Sequence, residues 1–309
     1  MPVVRVFPRM TLSELLAKYN CEEKCRAYLE ELRWPDGPVC LKCDSREVVR
    51  VGGREEVLRC KDCDAQFTVT VGTIFHDSHL PLAKWFLAVC LICESKKGMS
   101  ALQLKRLLGT GYKTAWYLTH RIRQAMMNAN GLESKLTGTV EIDDTWLGGR
   151  NYKGTGSGRE NKSCIVGITE RGGKLRLMVV EDLTSDSIQK AVKKWVSKDL
   201  ELIVSDQLSA YVPAIGPIYR HKYQRISHKR SYVEGNVHTN CIENRFSLLK
   251  RGIVGSWHKV SVKHLQRYLE EVSFRFSQRK NPALFSETLL SLLTTDPLTF
   301  KQLTNGKAA

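Results

Sequence analysis

Two Cys-x-x-Cys pairs, Cys40-Leu-Lys-Cys43 and Cys60-Lys-Asp-Cys63, stand sixteen residues apart and limit what the chain around them can become. A tetrahedral zinc ion takes four soft ligands, and two tight turns that each present two thiolates satisfy it when a hairpin joins them. The stretch from Val48 to Leu58 supplies such a hairpin, so the spacing predicts a zinc ribbon over residues 35–75. Protein fills all four positions and none is left for water, which makes the expected Zn²⁺ structural. Ten cysteines in a small secreted domain would suggest disulfides; here the two paired knuckles point instead to metal and to a reducing, cytoplasmic compartment. Cys90 and Cys93 lack a partner pair and lie in the longest apolar run, Trp85 to Cys93, so they are read as core. Cys21 and Cys25, at i and i+4, are read as buried small apolar residues. The apolar run is nine residues long against the ~20 of a membrane helix, and no charged-then-apolar leader opens the chain, so neither a membrane span nor export is expected.

The 309 residues carry 48 Lys and Arg against 32 Asp and Glu, a net charge of +16 that favours a polyanionic partner over a neutral small molecule. The excess is concentrated. Lys96 to Met127 holds seven basic residues and no acidic one, Arg220 to Lys280 holds fourteen basic and four acidic, and the remainder is close to neutral. Ordinary surfaces mix both signs, so 32 residues without a carboxylate call for an explanation beyond solvation.

Residues 1–34 read as a helical segment, with Thr11-Leu-Ser-Glu14 in the pattern of a capping box and Trp34-Pro-Asp-Gly-Pro38 as its end. Beyond the ribbon, residues 76–130 read as helices: a buried one over Leu82 to Cys93, a short one after Ser100, the turn Gly109-Thr-Gly111, and a longer one from Tyr112 to Met127. A short helix, a glycine turn and a basic second helix match helix-turn-helix organisation, in which the second helix enters the major groove. Lys113, Arg121 and Arg123 are its candidate DNA-contacting residues. Asn128 to Thr139 is a polar connector, and the pattern then changes. Thr139 to Asp143, Ser163 to Glu170, Lys174 to Glu181 and Glu201 to Asp206 read as strands, with a hairpin turn at Arg171-Gly-Gly173 and a helix over Ser185 to Ser197. The segment 151–162, rich in Gly, Ser and Lys, reads as a flexible insertion. Three antiparallel strands, a helix, a fourth strand and further helices make the expected class α/β: an RNase H-like mixed sheet flanked by helices over residues 138–282, then a C-terminal helix and tail over 283–309.

Three carboxylates stand where strands end or a helix begins. Asp143 is expected to close the first strand, Asp206 ends the fourth, and Glu243 lies near the start of a helix running from about Cys241 to Gly252. Two-metal phosphoryl transfer needs several carboxylates convergent on two Mg²⁺ or Mn²⁺ ions about 3.5–4 Å apart. Strand alternation sends Asp143 and Asp144 to opposite faces, so one of the two is the expected ligand.

At this point the chain resembles the DDE transposases of ISXO-type insertion sequences, which carry an N-terminal zinc ribbon. The resemblance rests on Val140-Glu-Ile-Asp-Asp-Thr-Trp-Leu-Gly-Gly149, on Ser205-Asp-Gln-Leu-Ser-Ala-Tyr211, and on His238-Thr-Asn-Cys-Ile-Glu-Asn-Arg-Phe-Ser-Leu-Leu-Lys-Arg-Gly252 followed by Gly255-Ser-Trp-His-Lys-Val-Ser261. It implies catalytic roles for Asp143, Asp206 and Glu243 on Mg²⁺ or Mn²⁺, with Lys250 as a basic partner two helical turns from Glu243. It also implies DNA contacts through His238, Lys250 and Arg251. Asn240 is an alternative third ligand and Asp144 an alternative first one; Phe246 stands where Trp is expected, and Gln207-Leu208 replaces an acidic-aromatic pair. The implied partners are double-stranded DNA, as element ends and target, and further copies of the chain in a synaptic complex. The implied place is cytoplasmic and nucleoid-associated, or nuclear in a eukaryotic host. A DNA-binding regulator that has lost catalysis is the alternative, and a plain RNase H-like nuclease would have no need of two N-terminal recognition modules.

Overall fold

A computed structural model describes residues 9–132, 134–148, 162–227, 233 and 235–305. These fall into two units: residues up to Ala129 together with those from Lys280 form unit 1, and Asn130 to Arg279 form unit 2. Each is taken by itself.

Unit 1 opens with helices α1 (Leu12–Lys18) and α2 (Glu22–Arg33). The expected capping box is present: the Thr11 hydroxyl accepts from the Glu14 amide, and the Glu14 carboxylate accepts from that of Thr11. Strands β1 (Val48–Val51), β2 (Arg54–Cys60) and β3 (Gln66–Phe67) form an antiparallel sheet in that order. Gly53, at φ +75°, makes the tight turn between the first two. Helix α3 (Leu82–Glu94) is apolar on nearly every side because it is the core of the unit; Trp85, Phe86, Val89, Cys90 and Cys93 are all buried. Helix α4 (Ala101–Leu108) starts at Ser100, whose hydroxyl accepts from the Gln103 amide, and stops at Gly109 in the left-handed conformation at φ +58°. Helix α5 (Tyr112–Leu132) follows and crosses the boundary between the units.

Unit 2 contains β4 (Thr139–Leu147), β5 (Ser163–Glu170), β6 (Leu175–Val180), α6 (Ser185–Trp195), β7 (Leu202–Ser205), α7 (Tyr211–Tyr219), β8 (Tyr223–Arg225), α8 (Asn240–Gly252) and α9 (Val262–Ser277). The sheet order is β6-β5-β4-β7-β8, with β4, β5 and β6 antiparallel in turn and β7 and β8 parallel to β4. This is the expected RNase H-like mixed sheet. Ile142, Val166 and Ile203 pack on one face with α6 and α7; Ile165, Leu175 and Leu177 pack on the other with Ile242, Phe246 and Leu269 of α8 and α9. The insertion expected at 151–162 lies, except for Lys162, outside the described residues.

The chain then returns to unit 1 as α10 (Leu284–Thr294) and α11 (Phe300–Asn305). Ile74 N–H donates to the Leu292 carbonyl at 3.1 Å, and the Tyr117 hydroxyl donates to the carbonyl of Leu298. The segment 283–305 is therefore a packed part of unit 1, where a separate C-terminal helix and tail had been expected. Residues 9–34 and 82–129 likewise share one unit with the ribbon. Among the described residues no helix is long and apolar enough to cross a membrane.

Candidate functional site

The four ribbon cysteines converge. Their sulfurs lie within 4.8 Å of one another, with Cys40 to Cys63 and Cys43 to Cys60 at 3.6 Å and Cys43 to Cys63 at 3.4 Å. A tetrahedron with Zn–S bonds of ~2.3 Å has edges of about 3.8 Å, so this donor set fits one zinc ion. The two knuckles share a backbone design. Asp44 N–H donates to the Cys40 carbonyl and Asp64 N–H to that of Cys60, each at 3.1 Å, with Asp44 at φ +57° and Asp64 at φ +56°. The residue after the second cysteine thus takes the left-handed turn that brings the two thiols to one side.

The carboxylates of unit 2 form a looser group. Strand β4 does not end at Asp143 as expected: its antiparallel pairing with β5 continues to Leu147↔Ser163. What ends there is the parallel ladder with β7, whose last pair is Ile142↔Ser205, so the next residues, Asp143 and Asp206, stand side by side at its open end. Asp143, Asp144, Glu243, Lys250 and Arg251 line one cavity of about 490 Å³, with Phe246 and Val254 as apolar wall. Asp144 thus reaches the same cavity as Asp143 despite strand alternation. Burial pushes the Asp143 carboxyl up to about 7, and the charges of Asp206, Asp144 and Glu243 add to the rise against the Asp144 amide, which donates to Asp143 Oδ1 at 2.8 Å. The Tyr211 hydroxyl donates to Asp144 Oδ1 at 3.4 Å, and the Thr239 hydroxyl to Glu243 Oε1 at 2.9 Å. The cavity wall includes Glu243 but not Asn240. Among the described residues only the cysteines bring three or more ligand atoms within 4.8 Å. Even so, hard, anionic oxygens lining one cavity are a donor set suited to Mg²⁺ or Mn²⁺.

Two further residues, missed in the sequence, set the position of α8. Glu141, two residues before Asp143 on β4, is fully buried; its Oε2 accepts from Cys241 N–H at 2.8 Å and Ile242 N–H at 3.1 Å. Gly167, the β5 partner of Asp143, lies under the same helix, and a Cβ there would meet Phe246 Cζ at 2.7 Å and Ile242 Cδ1 at 2.8 Å.

Two of the expected DNA contacts are corrected by burial. Arg121 and Arg123 are 4% and 2% exposed. Arg121 donates to the His76 carbonyl and stacks between Trp85 and Tyr117 at 5.2 and 5.1 Å, while Arg123 donates to Thr119 Oγ1 at 3.1 Å. They face the core because the middle of α5 is packed nearly all round, so the charge of Arg121 is held by a carbonyl and two aromatic faces and that of Arg123 meets a hydroxyl. Lys113, in the exposed first turn of α5, lies 4.4 Å from the Phe300 ring centroid. His238 turns inward, with Nδ1 3.2 Å from Glu141 Oε1, and is mostly buried. Lys250 and Arg251 are exposed and line the cavity.

Sheet order and acidic edge together define an RNase H-like domain with carboxylates from β4, the end of β7 and α8. Residues 135–277 match the ISXO2-like transposase domain, and residues 20–66 match the transposase zinc-ribbon domain. Two transposase family models thus match separate parts of the chain, the ribbon and the mixed-sheet unit. It is 27% identical over 292 residues to a protein in transposable element ISH50 of Halobacterium salinarum, covering 89% of this chain and 96% of that relative. The crystal structure of the Mos1 mariner paired end complex with Mn aligns over 67% of this chain and 75% of its own at 10% identity, with a TM-score of 0.26, too low to bear on the fold.

Proposed function

We propose that this chain is a transposase that binds the ends of its own element, hydrolyses DNA there in a divalent-metal-dependent step, and transfers the freed 3′-hydroxyl to target DNA. The observation that carries the reading is the shared cavity of Asp143, Asp144, Glu243, Lys250 and Arg251 beside Asp206. In the first step a water oxygen bonds to the scissile phosphorus, the P–O3′ bond breaks, and the leaving oxygen takes a proton. In the second, that 3′-hydroxyl bonds to a target phosphorus in line and the target P–O3′ bond breaks. Mg²⁺ or Mn²⁺, when bound, activates the attacking oxygen and neutralises the leaving one.

The residues divide the remaining work. Asp143 and Asp206 hold the metal from neighbouring strands, and Glu243 is the third ligand in preference to Asn240, supported by its place in the cavity wall and by the Thr239 hydroxyl that orients it. Tyr211 fixes Asp144 from the other side of the strand. Lys250 and Arg251 grip the flanking phosphates. Recognition of the ends falls to unit 1. In a helix-turn-helix the first residues of the second helix reach the bases, and here Tyr112, Lys113 and Thr114 are exposed in that place, with Lys105 and Arg106 exposed on α4. Joining two ends requires two or more copies of the chain.

Purified protein with Mg²⁺ is expected to nick and join DNA that contains the element ends, and Asp206→Ala to abolish both while sparing binding. Equal activity in the variant overturns the assignment of the site. Salt-sensitive binding without cleavage of any substrate would make the chain a regulator instead.

A further inference from the structure

We propose that Glu141 is a positioning residue: it ties the first turn of α8 to β4, so that the strand carrying Asp143 and the helix carrying Glu243 keep the separation that a divalent cation needs. The inference rests on the reading of Asp143, Asp206 and Glu243 as the metal-holding set.

Glu141 and Asp143 are two apart on one strand and share a face of the sheet. The Glu141 carboxylate is directed at the free amides that every helix leaves at its N-terminus, where a negative charge also complements the helix dipole. It accepts from Cys241 and Ile242, the two residues immediately before Glu243, so an offset at this bond passes to Glu243 without an intervening turn to absorb it. The other oxygen, Oε1, accepts from Arg171 Nε at 2.7 Å and lies 3.2 Å from His238 Nδ1. Arg171 in turn donates through Nη2 to the His238 carbonyl at 3.1 Å, which fastens the β5–β6 turn to the segment that leads into α8. Gly167 sets the second coordinate by letting Ile242 and Phe246 close directly onto the sheet opposite Asp143.

A buried carboxylate paired with a guanidinium is not the arrangement that stability alone would favour, because well-packed apolar residues of similar volume do as well or better. An ion pair does what apolar packing does not: it fixes direction as well as distance. None of Glu141, Arg171 and Gly167 lines the cavity. They act on the site only through where α8 stands.

The test uses the full-length, zinc-loaded protein and reads Mn²⁺ binding from the loss of the free-ion signal in electron paramagnetic resonance, with melting temperature and nicking activity measured alongside. Glu141→Gln puts an amide donor against either the α8 amides or Arg171, and is expected to weaken Mn²⁺ binding about 10–100-fold, the usual range for residues that orient metal ligands. Arg171→Lys keeps the charge but loses the two-pronged geometry, and should fall between wild type and Glu141→Gln; it also stands in should Glu141→Gln not fold. Gly167→Ala presses on α8 from β5 instead of β4 and should weaken Mn²⁺ in the same direction. A lowered melting temperature with unchanged Mn²⁺ affinity in the folded variants would make the cluster merely structural and overturn the inference. Wild type that binds no Mn²⁺, or that binds it equally well as Asp206→Ala, would overturn the reading of the carboxylates, and this inference with it.

Discussion

The two groups of candidate ligands in this chain are gathered in opposite ways. In the ribbon, sulfurs within 4.8 Å of one another are presented by two short turns of the same local design, over residues 40–65. In unit 2, Asp143, Asp206 and Glu243 come from a strand, the end of another and a helix that are distant in sequence. A closed set of soft ligands suits a structural ion, whereas an open set of carboxylates leaves room for the oxygens of a substrate. Local geometry therefore makes the first site independent of the rest of the fold, and long-range packing makes the second depend on all of it.

The largest expected effect separates the two. Stripping zinc with a strong chelator at neutral pH should unfold the ribbon, since binding at such sites contributes on the order of 10 kcal/mol to folding. Hydrogen exchange would show protection lost over residues 40–67 and kept over β4 to β7; protection kept in the ribbon would contradict the structural role. The same treatment should leave the open site folded, because the elements that carry it are held by apolar packing of Ile165, Ile242 and Phe246.

Next is the buried, raised carboxyl of the open site. With the Asp143 carboxyl raised from 3.8 to about 7, the native state binds a proton that the unfolded chain has released, so metal-free protein loses stability as pH climbs from about 4 to about 7. Asp143→Asn does not titrate. With zinc retained and no other divalent metal added, its unfolding free energy should match wild type near pH 4 and exceed it increasingly up to pH 7, by an amount on the order of a few kcal/mol, and its cleavage activity is expected to be lost. A constant difference across that range would show that burial and the acidic neighbours do not raise the Asp143 carboxyl.

Overpacking under α8 should come third. Gly167→Ala forces a Cβ into Phe246 and Ile242 and should cost about 1–3 kcal/mol in chemical denaturation. The smallest effect belongs to the knuckles: Asp64→Gly relieves a left-handed backbone at φ +56° and should change stability by less than about 1 kcal/mol, whereas Asp64→Val should be clearly destabilising.

The same contrast decides what could be read from the sequence. The zinc ligands, the capping box at Thr11, the cap at Ser100 and the turn at Gly109 depend on neighbours within a few residues, and all stood where the spacing placed them. The strand order of unit 2 was legible from the succession of patterns. Arg121 and Arg123 were misjudged because charge is visible in a sequence and the aromatic, carbonyl and hydroxyl partners that allow its burial are not. Glu141 reads as an ordinary alternating strand residue until α8, a hundred residues later, is docked on it. Gly167 gives no signal at all without the ring of Phe246 above it. The contribution of α10 to unit 1 was likewise hidden, since apolar helices do not announce which core they complete.

That return of the chain has a consequence for truncation. Helix α3 is completed only by the last helices, through Phe285, which stacks edge-on against Phe86 at 5.7 Å, and Thr288, which meets Cys93 at 3.4 Å. A chain cut short ahead of Leu284 would keep Asp143, Asp206 and Glu243 within a whole unit 2, while the apolar centre of unit 1 lost Phe285 and the buried Leu289. A cut near this end therefore falls on the unit that holds the ribbon and not on the carboxylates, although they stand nearer to it in sequence.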